Sequence, residues 1–60
     1  MSYYNIYCRG RKIHGNVPEE EMLEILHDFS DQFHSTGEPD PDDLDVEIIL
    51  EDGRTRYLTN

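Results

Sequence analysis

Apolar positions recur with a period of two near both ends of this chain and with a helical period between them. The first stretch, YYNIYC (residues 3–8), is aromatic and β-branched with alternation, which predicts a strand. Tyr4, Ile6 and Cys8 fall on one face, and Tyr3, Asn5 and Tyr7 on the other. Arg9-Gly10 supplies a tight turn, and residues 11–14 return as a second strand with Ile6 opposite Ile13 on the core side. One long bent strand is the alternative.

The helical rhythm follows. Met22, Ile25, Leu26, Phe29 and Phe33 recur at i, i+3, i+4, i+7 and i+11, a single stripe along a helix. Asn16 is placed to cap that helix with Glu19 three residues on, and Pro18 falls in the first turn, where its missing N–H costs little. Glu19, Glu20 and Glu21 complement the positive end of the helix dipole. Gly37 suits a left-handed stop, and Pro39 blocks continuation.

After a connector, PDPDD, in which Asp40-Pro41 can open one short helical turn, period two resumes. Leu44, Val46, Ile48 and Leu50 alternate with Asp45, Glu47, Ile49 and Glu51. Asp52-Gly53 signals a hairpin, which as a two-residue turn sets Glu51 opposite Arg54, Ile49 opposite Arg56, Ile48 opposite Tyr57 and Glu47 opposite Leu58. In that register Ile48 and Tyr57 point inward, while Ile49 and Leu58 lie outside. The expectation is a single small α+β domain over residues 1–60, of order β(β)αββ. Three or four strands form an antiparallel-rich sheet with one helix packed on one face. With one helix available, the second face of the sheet meets either water or a partner.

A chain of 60 residues is near the lower limit for folding alone and buries only about 60% of the surface it exposes unfolded. The single Cys8 excludes an intramolecular disulfide and suits a reducing cytosol. No apolar run approaches the roughly 18 residues of a membrane span, and no signal-peptide core is present. Net charge changes the picture more. Fourteen acidic residues against five basic ones give −9, which argues against direct binding of nucleic acid or an anionic membrane. Every carboxylate side chain lies between Glu19 and Asp52, and all five bases (Arg9, Arg11, Lys12, Arg54, Arg56) lie outside that interval.

The acid-rich stretch GEPDPDDLDVE (residues 37–47) raises the question of a calcium loop. An EF-hand needs a glycine at position 6. Counting from Asp40 that position is Asp45, and from Asp43 it is Ile48. The stretch therefore reads as an acidic ramp into a strand. His27, Asp31 and His34 share one helix flank, but the two histidines are about 10 Å apart by helical rise, too far to chelate one zinc ion. Cys8 faces the predicted core and has no positioned base. No catalytic residue, metal site or cofactor is expected, and a chain this short has little material for an enzyme-sized pocket.

Two surfaces remain. The outer sheet face gathers Tyr3, Tyr7, Ile49, Arg56 and Leu58 beside Asn5 and Glu47, an apolar patch with a charged rim of the kind that binds proteins. Its occupants include a second copy of the chain, packed sheet to sheet as a homodimer. The other surface is acidic: Glu20, Glu24, Asp28 and Asp31 on the helix, continued by Asp42 and Asp43 in the connector. It either solubilises the domain or mimics nucleic-acid phosphates in a basic groove. Should the two hairpins lie side by side, the five bases gather at one end of the sheet.

The opening YYNIY, the short basic turn, Ile13, Asn16-Val17 and the helix start EEE at 19–21 resemble small uncharacterised acidic proteins of tailed phages that infect marine cyanobacteria. The segment FHSTGEPDPDDL extends the likeness over about two thirds of the chain. The resemblance implies a virus-encoded accessory protein acting in the host cytoplasm by binding and altering a host protein. It carries over no catalytic or ligand residue.

Overall fold

The computed structural model describes residues 2–58; Met1, Thr59 and Asn60 lie outside the described residues. The elements run β1 (Tyr3–Cys8), β2 (Arg11–Pro18), α1 (Glu19–Thr36), a 3₁₀ turn (Pro41–Asp43), β3 (Leu44–Ile49) and β4 (Thr55–Tyr57). One antiparallel sheet has the strand order β2-β1-β3-β4, with α1 packed over β1 and β2. This is the expected α+β fold with four strands, and residues 3–14 form a hairpin rather than one bent strand.

The core is the inner face of the sheet against the helix stripe. Tyr4, Ile6, Val17, Met22 and Val46 are buried, Ile6 completely, and Ile25, Leu26, Phe29 and Ile48 pack on them. Ile6 meets Val46 and Tyr4 meets Ile48 across the central β1–β3 pair, so the even-numbered positions of both strands supply the floor. The helix ends as the sequence reading has it. Gly37 takes φ 81° and donates its N–H to the Phe33 carbonyl, a left-handed stop without a Cβ penalty.

The start of the helix differs. Its N-cap is Pro18, with no side-chain cap, and Asn16 sits two residues back inside β2. β2 therefore runs to Pro18 instead of ending near residue 14. It is an edge strand, where a proline without an N–H is tolerated. Two irregularities interrupt its pairing with β1. Ile6 faces His14 rather than Ile13, and Tyr4 faces Val17, so Ile13 and then Asn16 are extra residues in the ladder. Asn16 takes a left-handed φ of 57°, which Asn tolerates better than most residues. Ile13, expected on the core side opposite Ile6, is 38% exposed.

The second hairpin is displaced by one residue. Leu50 N–H donates to Arg54 C=O, and Gly53, at φ 88°, donates back to Leu50 C=O. The loop thus has three residues ending in a left-handed glycine, the G1-bulge form, rather than a two-residue turn at Asp52-Gly53. The pairs become Ile49 with Thr55, Ile48 with Arg56 and Glu47 with Tyr57, and Leu58 N–H reaches Val46 C=O. A slip of one position moves every side chain of a strand to the other face. Tyr57 therefore lies on the outer face. Arg56 and Leu58, expected there, lie on the helix side.

The bases do not gather at one end of the sheet. Arg9, Arg11 and Lys12 belong to the β1–β2 end of one edge, and Arg54 and Arg56 to the opposite edge, near the β3–β4 loop. Arg9 pairs with Asp43 at 3.2 Å, and Arg54 with Asp52 at 2.7 Å. Both pairs are largely exposed and contribute little to stability.

Candidate functional site

The odd-numbered residues of β1 and β3 point away from the helix. Tyr3 faces Ile49, Asn5 faces Glu47 and Tyr7 faces Asp45, while Thr55 and Tyr57 extend the same face on β4. On the other side Lys12 faces Tyr7, and a Cβ placed at Gly15 would stand 3.5 Å from Asn5 Oδ1 and 3.5 Å from the Lys12 Cδ. Among the described residues, no second layer covers this face.

Its centre is a carboxylate. Glu47 is only 7% exposed and Asn5 only 8%, although both belong to the open side of the sheet. Asn5 Nδ2 donates to Glu47 Oε1 at 2.9 Å, and Tyr7 Oη donates to the same oxygen at 3.1 Å. Asn5 also uses its other end, with Oδ1 accepting the Asn16 N–H at 2.9 Å. That bond holds the left-handed residue in place, so one asparagine ties the β2 bulge to the carboxylate on β3. Among the described residues, no buried side-chain nitrogen or oxygen lacks a partner.

The network shifts both titrating members. Donation by Asn5 is the leading cause holding the Glu47 carboxyl below its ordinary value. Bonds from Thr55 and Tyr7 and the charge of Lys12 add to it and outweigh desolvation. For Tyr7, the bond to Glu47 is the leading cause raising the phenol above its ordinary value, assisted by desolvation and by the negative charge of Glu47. Around this anchored centre stand Tyr3, Tyr57 and Ile49. The rings of Tyr7 and Tyr57 lie 6.1 Å apart, tilted by 52°, and Tyr57 is 56% exposed.

Of the residues expected on this face, Tyr3, Tyr7 and Ile49 are brought together, and Arg56 and Leu58 are not. Tyr57 was missed because its face depends on a single residue of loop length. The glycine after Glu51-Asp52 is the signal that allows the longer loop.

The acidic surface has a different character. Glu20, Glu24, Asp28 and Asp31 are exposed along α1. Asp31 meets His27 Nδ1 at 3.5 Å, while no ion pair reaches Glu20, Glu24 or Asp28 among the described residues. The connector carboxylates are engaged locally. Asp43 holds Arg9, and the Asp42 N–H is held by the Asp40 side chain in the 3₁₀ turn. Among the described residues, no group of three or more His, Cys, Asp or Glu side chains is arranged to hold a metal ion. Nor is any helix among them long and apolar enough to cross a membrane.

Comparison with known proteins leaves the fold to speak through its own geometry: no family model matches the chain, and neither a curated protein nor a solved structure is significantly similar to it.

Proposed function

We propose that this chain is a small protein-interaction module that docks through the outer face of its sheet. The observation that carries the reading is the group of Tyr3, Tyr7, Tyr57 and Ile49 around a buried Glu47 whose Oε1 accepts from Asn5 and Tyr7, on a sheet face that no other element covers among the described residues. Tyrosines lose little conformational entropy on docking and are enriched where binding energy concentrates. The Glu47–Asn5–Tyr7 bonds fix the centre of the patch in advance, which lowers the ordering cost of association. The phage resemblance extends the reading to a virus-encoded modulator of a host protein, acting in the host cytoplasm.

A second reading rests on the three carboxylates of α1 that no ion pair reaches among the described residues. Glu20, Glu24 and Asp28 stand at intervals of four residues, about 6 Å of helical rise, and present regularly spaced negative charge to solvent. A domain of this kind blocks a basic nucleic-acid site by occupying it.

Salt and mutation separate the two. The tagged protein is incubated with a cyanobacterial lysate and washed at about 0.1 M and then about 0.5 M salt, which shortens the Debye length from about 10 Å to less than half of that. Docking through the tyrosine face survives the second wash and is lost in Tyr3→Ser/Tyr57→Ser. Phosphate mimicry is lost in the second wash and in Glu20→Lys/Glu24→Lys/Asp28→Lys. Retention of a partner by the tyrosine variant at high salt contradicts the first reading.

A further inference from the structure

A second surface lies on the opposite side of the sheet, and it follows from a mismatch of widths. Four strands spaced about 4.8 Å apart make a sheet roughly twice as wide as the 10 Å or so of one helix. α1 lies over β1 and β2. The helix-side surface of β3 and β4 is left as a trough beside it. Its wall is the flank of α1 that carries Leu23, Leu26 and Ser30, at i, i+3 and i+7. Its floor is the half-buried Leu44 and Ile48, with the buried Val46 reached only at the cleft end and Leu58 and Arg56 on the far side.

One end is already a formed cleft of about 260 Å³, where Leu26, Phe29 and Ser30 face Pro41, Leu44 and Val46. Toward the open side the apolar side chains stay in water: Leu23 is 57% exposed and Leu58 53%. The same register slip that removed Leu58 from the outer face delivers it to this trough.

We propose that this trough is a docking groove for an amphipathic helix of a partner protein, apolar on the side that enters and basic on the side that remains outside. The exposed helix side of β4 and the half-buried Leu44 and Ile48 of β3 leave an apolar strip beside α1, and the charge around it selects the sign of its occupant. Glu19 and Glu20 flank one end, where the Tyr4 hydroxyl reaches Glu19 at 3.5 Å above the Tyr4–Ile48 pair. Asp40 and Asp42 flank the other, beside Pro41. Asp31 stands on the exposed side of α1, while Arg56, on the far side, is the one base lining the trough among the described residues. A second copy is a poor occupant, because its own helix carries the carboxylates that this rim repels. The groove is separate from the tyrosine face and does not depend on it.

The test uses a fluorescein-labelled peptide of about fourteen residues, about 21 Å as a helix, with leucines along one face and lysines elsewhere. A same-composition scramble and a Leu/Glu twin serve as controls, all at about 0.15 M salt, a Debye length of about 8 Å. Anisotropy is expected to saturate with the Leu/Lys helix, to weaken about tenfold or more with the scramble, and to vanish with the Leu/Glu twin. Leu23→Glu and Leu58→Glu are each expected to weaken binding about tenfold or more, although each adds a negative charge that plain attraction to lysine would reward. Both sites are more than half exposed, and Leu23→Ser and Leu58→Ser give the same test without new charge.

Equal or tighter binding by the Glu variants overturns the proposal, as does equal binding of the scramble. It is also overturned by a dimer of the free protein that Leu58→Glu dissolves, which makes a second copy the occupant.

Discussion

The two faces of the central β1–β3 pair bury side chains by opposite means. On the helix side, Ile6 and Val46 lose their water to an apolar layer, and shape alone decides the fit. On the open side, Asn5 and Glu47 are nearly as buried with no layer above them. Hydrogen bonds among Asn5, Glu47, Tyr7 and Asn16 and the flanking rings of Tyr7 and Tyr57 do there what the helix does on the other face. The difference teaches that the open face is organised rather than merely left over. Its polar centre is satisfied from within, so its tyrosines are free to meet something else.

The comparison is broken most severely from the helix side. Ile6→Ala is expected to cost about 2–5 kcal/mol, the range for emptying a fully buried aliphatic site. For a chain of this size, whose whole stability is about 3–9 kcal/mol, that change consumes most of the fold. Urea unfolding followed by circular dichroism reads it directly.

Asn5→Ala strikes the other face. It leaves the Asn16 N–H without its partner and Glu47 Oε1 with the Tyr7 hydroxyl alone, for an expected loss of about 1–3 kcal/mol. The β2 amides around Asn16 should then exchange hydrogen faster than those of β3. Equal loss of protection in both strands would mean that Asn5 does not specifically tie the bulge.

Acid sharpens the contrast. Glu47 is a stronger acid in the folded chain than in the unfolded one. Its contribution is therefore complete above its ordinary value of 4.5 and is lost as pH falls through the lower folded value. Glu47→Gln should flatten that part of the acid limb of stability while leaving the slope near neutral pH unchanged. Tyr7 works at the other extreme, its raised value placing a loss of stability above pH 10.0. Tyr7→Phe should remove that alkaline loss.

The smallest structural effect belongs to Tyr57→Ser. Tyr57 is more than half exposed, so stability should move by no more than about 0.5 kcal/mol. The proposed docking predicts that its larger consequence is loss of the partner.

The sequence made the helix-side half of this picture legible. The stripe of Met22, Ile25, Leu26 and Phe29 and the alternation of Tyr4-Ile6 and Val46-Ile48 are local patterns, and their burial follows from period alone, while Phe33 at the end of the predicted stripe lies outside the core. Gly37 announced the helix stop by backbone chemistry. The register of β4 was less legible because Glu51-Asp52-Gly53 serves equally as a two-residue turn preceded by a strand residue or as a three-residue loop. One residue of difference exchanges Tyr57 for Arg56 and Leu58 on the outer face. Asn16 was ambiguous for the same kind of reason, since asparagine suits a helix cap and a left-handed bulge alike. Asn5 and Glu47 could be assigned to the outer face, but their bond requires β1 to lie beside β3. That adjacency spans 42 residues and leaves no mark in either strand.

The central claim is that the tyrosine face is the docking surface, and the most direct measurement is a chemical-shift map on the isotopically labelled protein. The host protein retained at about 0.5 M salt, where the Debye length is well under 10 Å, would be titrated in while every backbone amide is followed. The account predicts perturbations concentrated at Tyr3, Asn5, Tyr7, Glu47, Ile49, Thr55 and Tyr57. Perturbations confined to Glu20, Glu24, Asp28 and Asp31, with the odd-numbered positions of β1 and β3 unmoved, would contradict it.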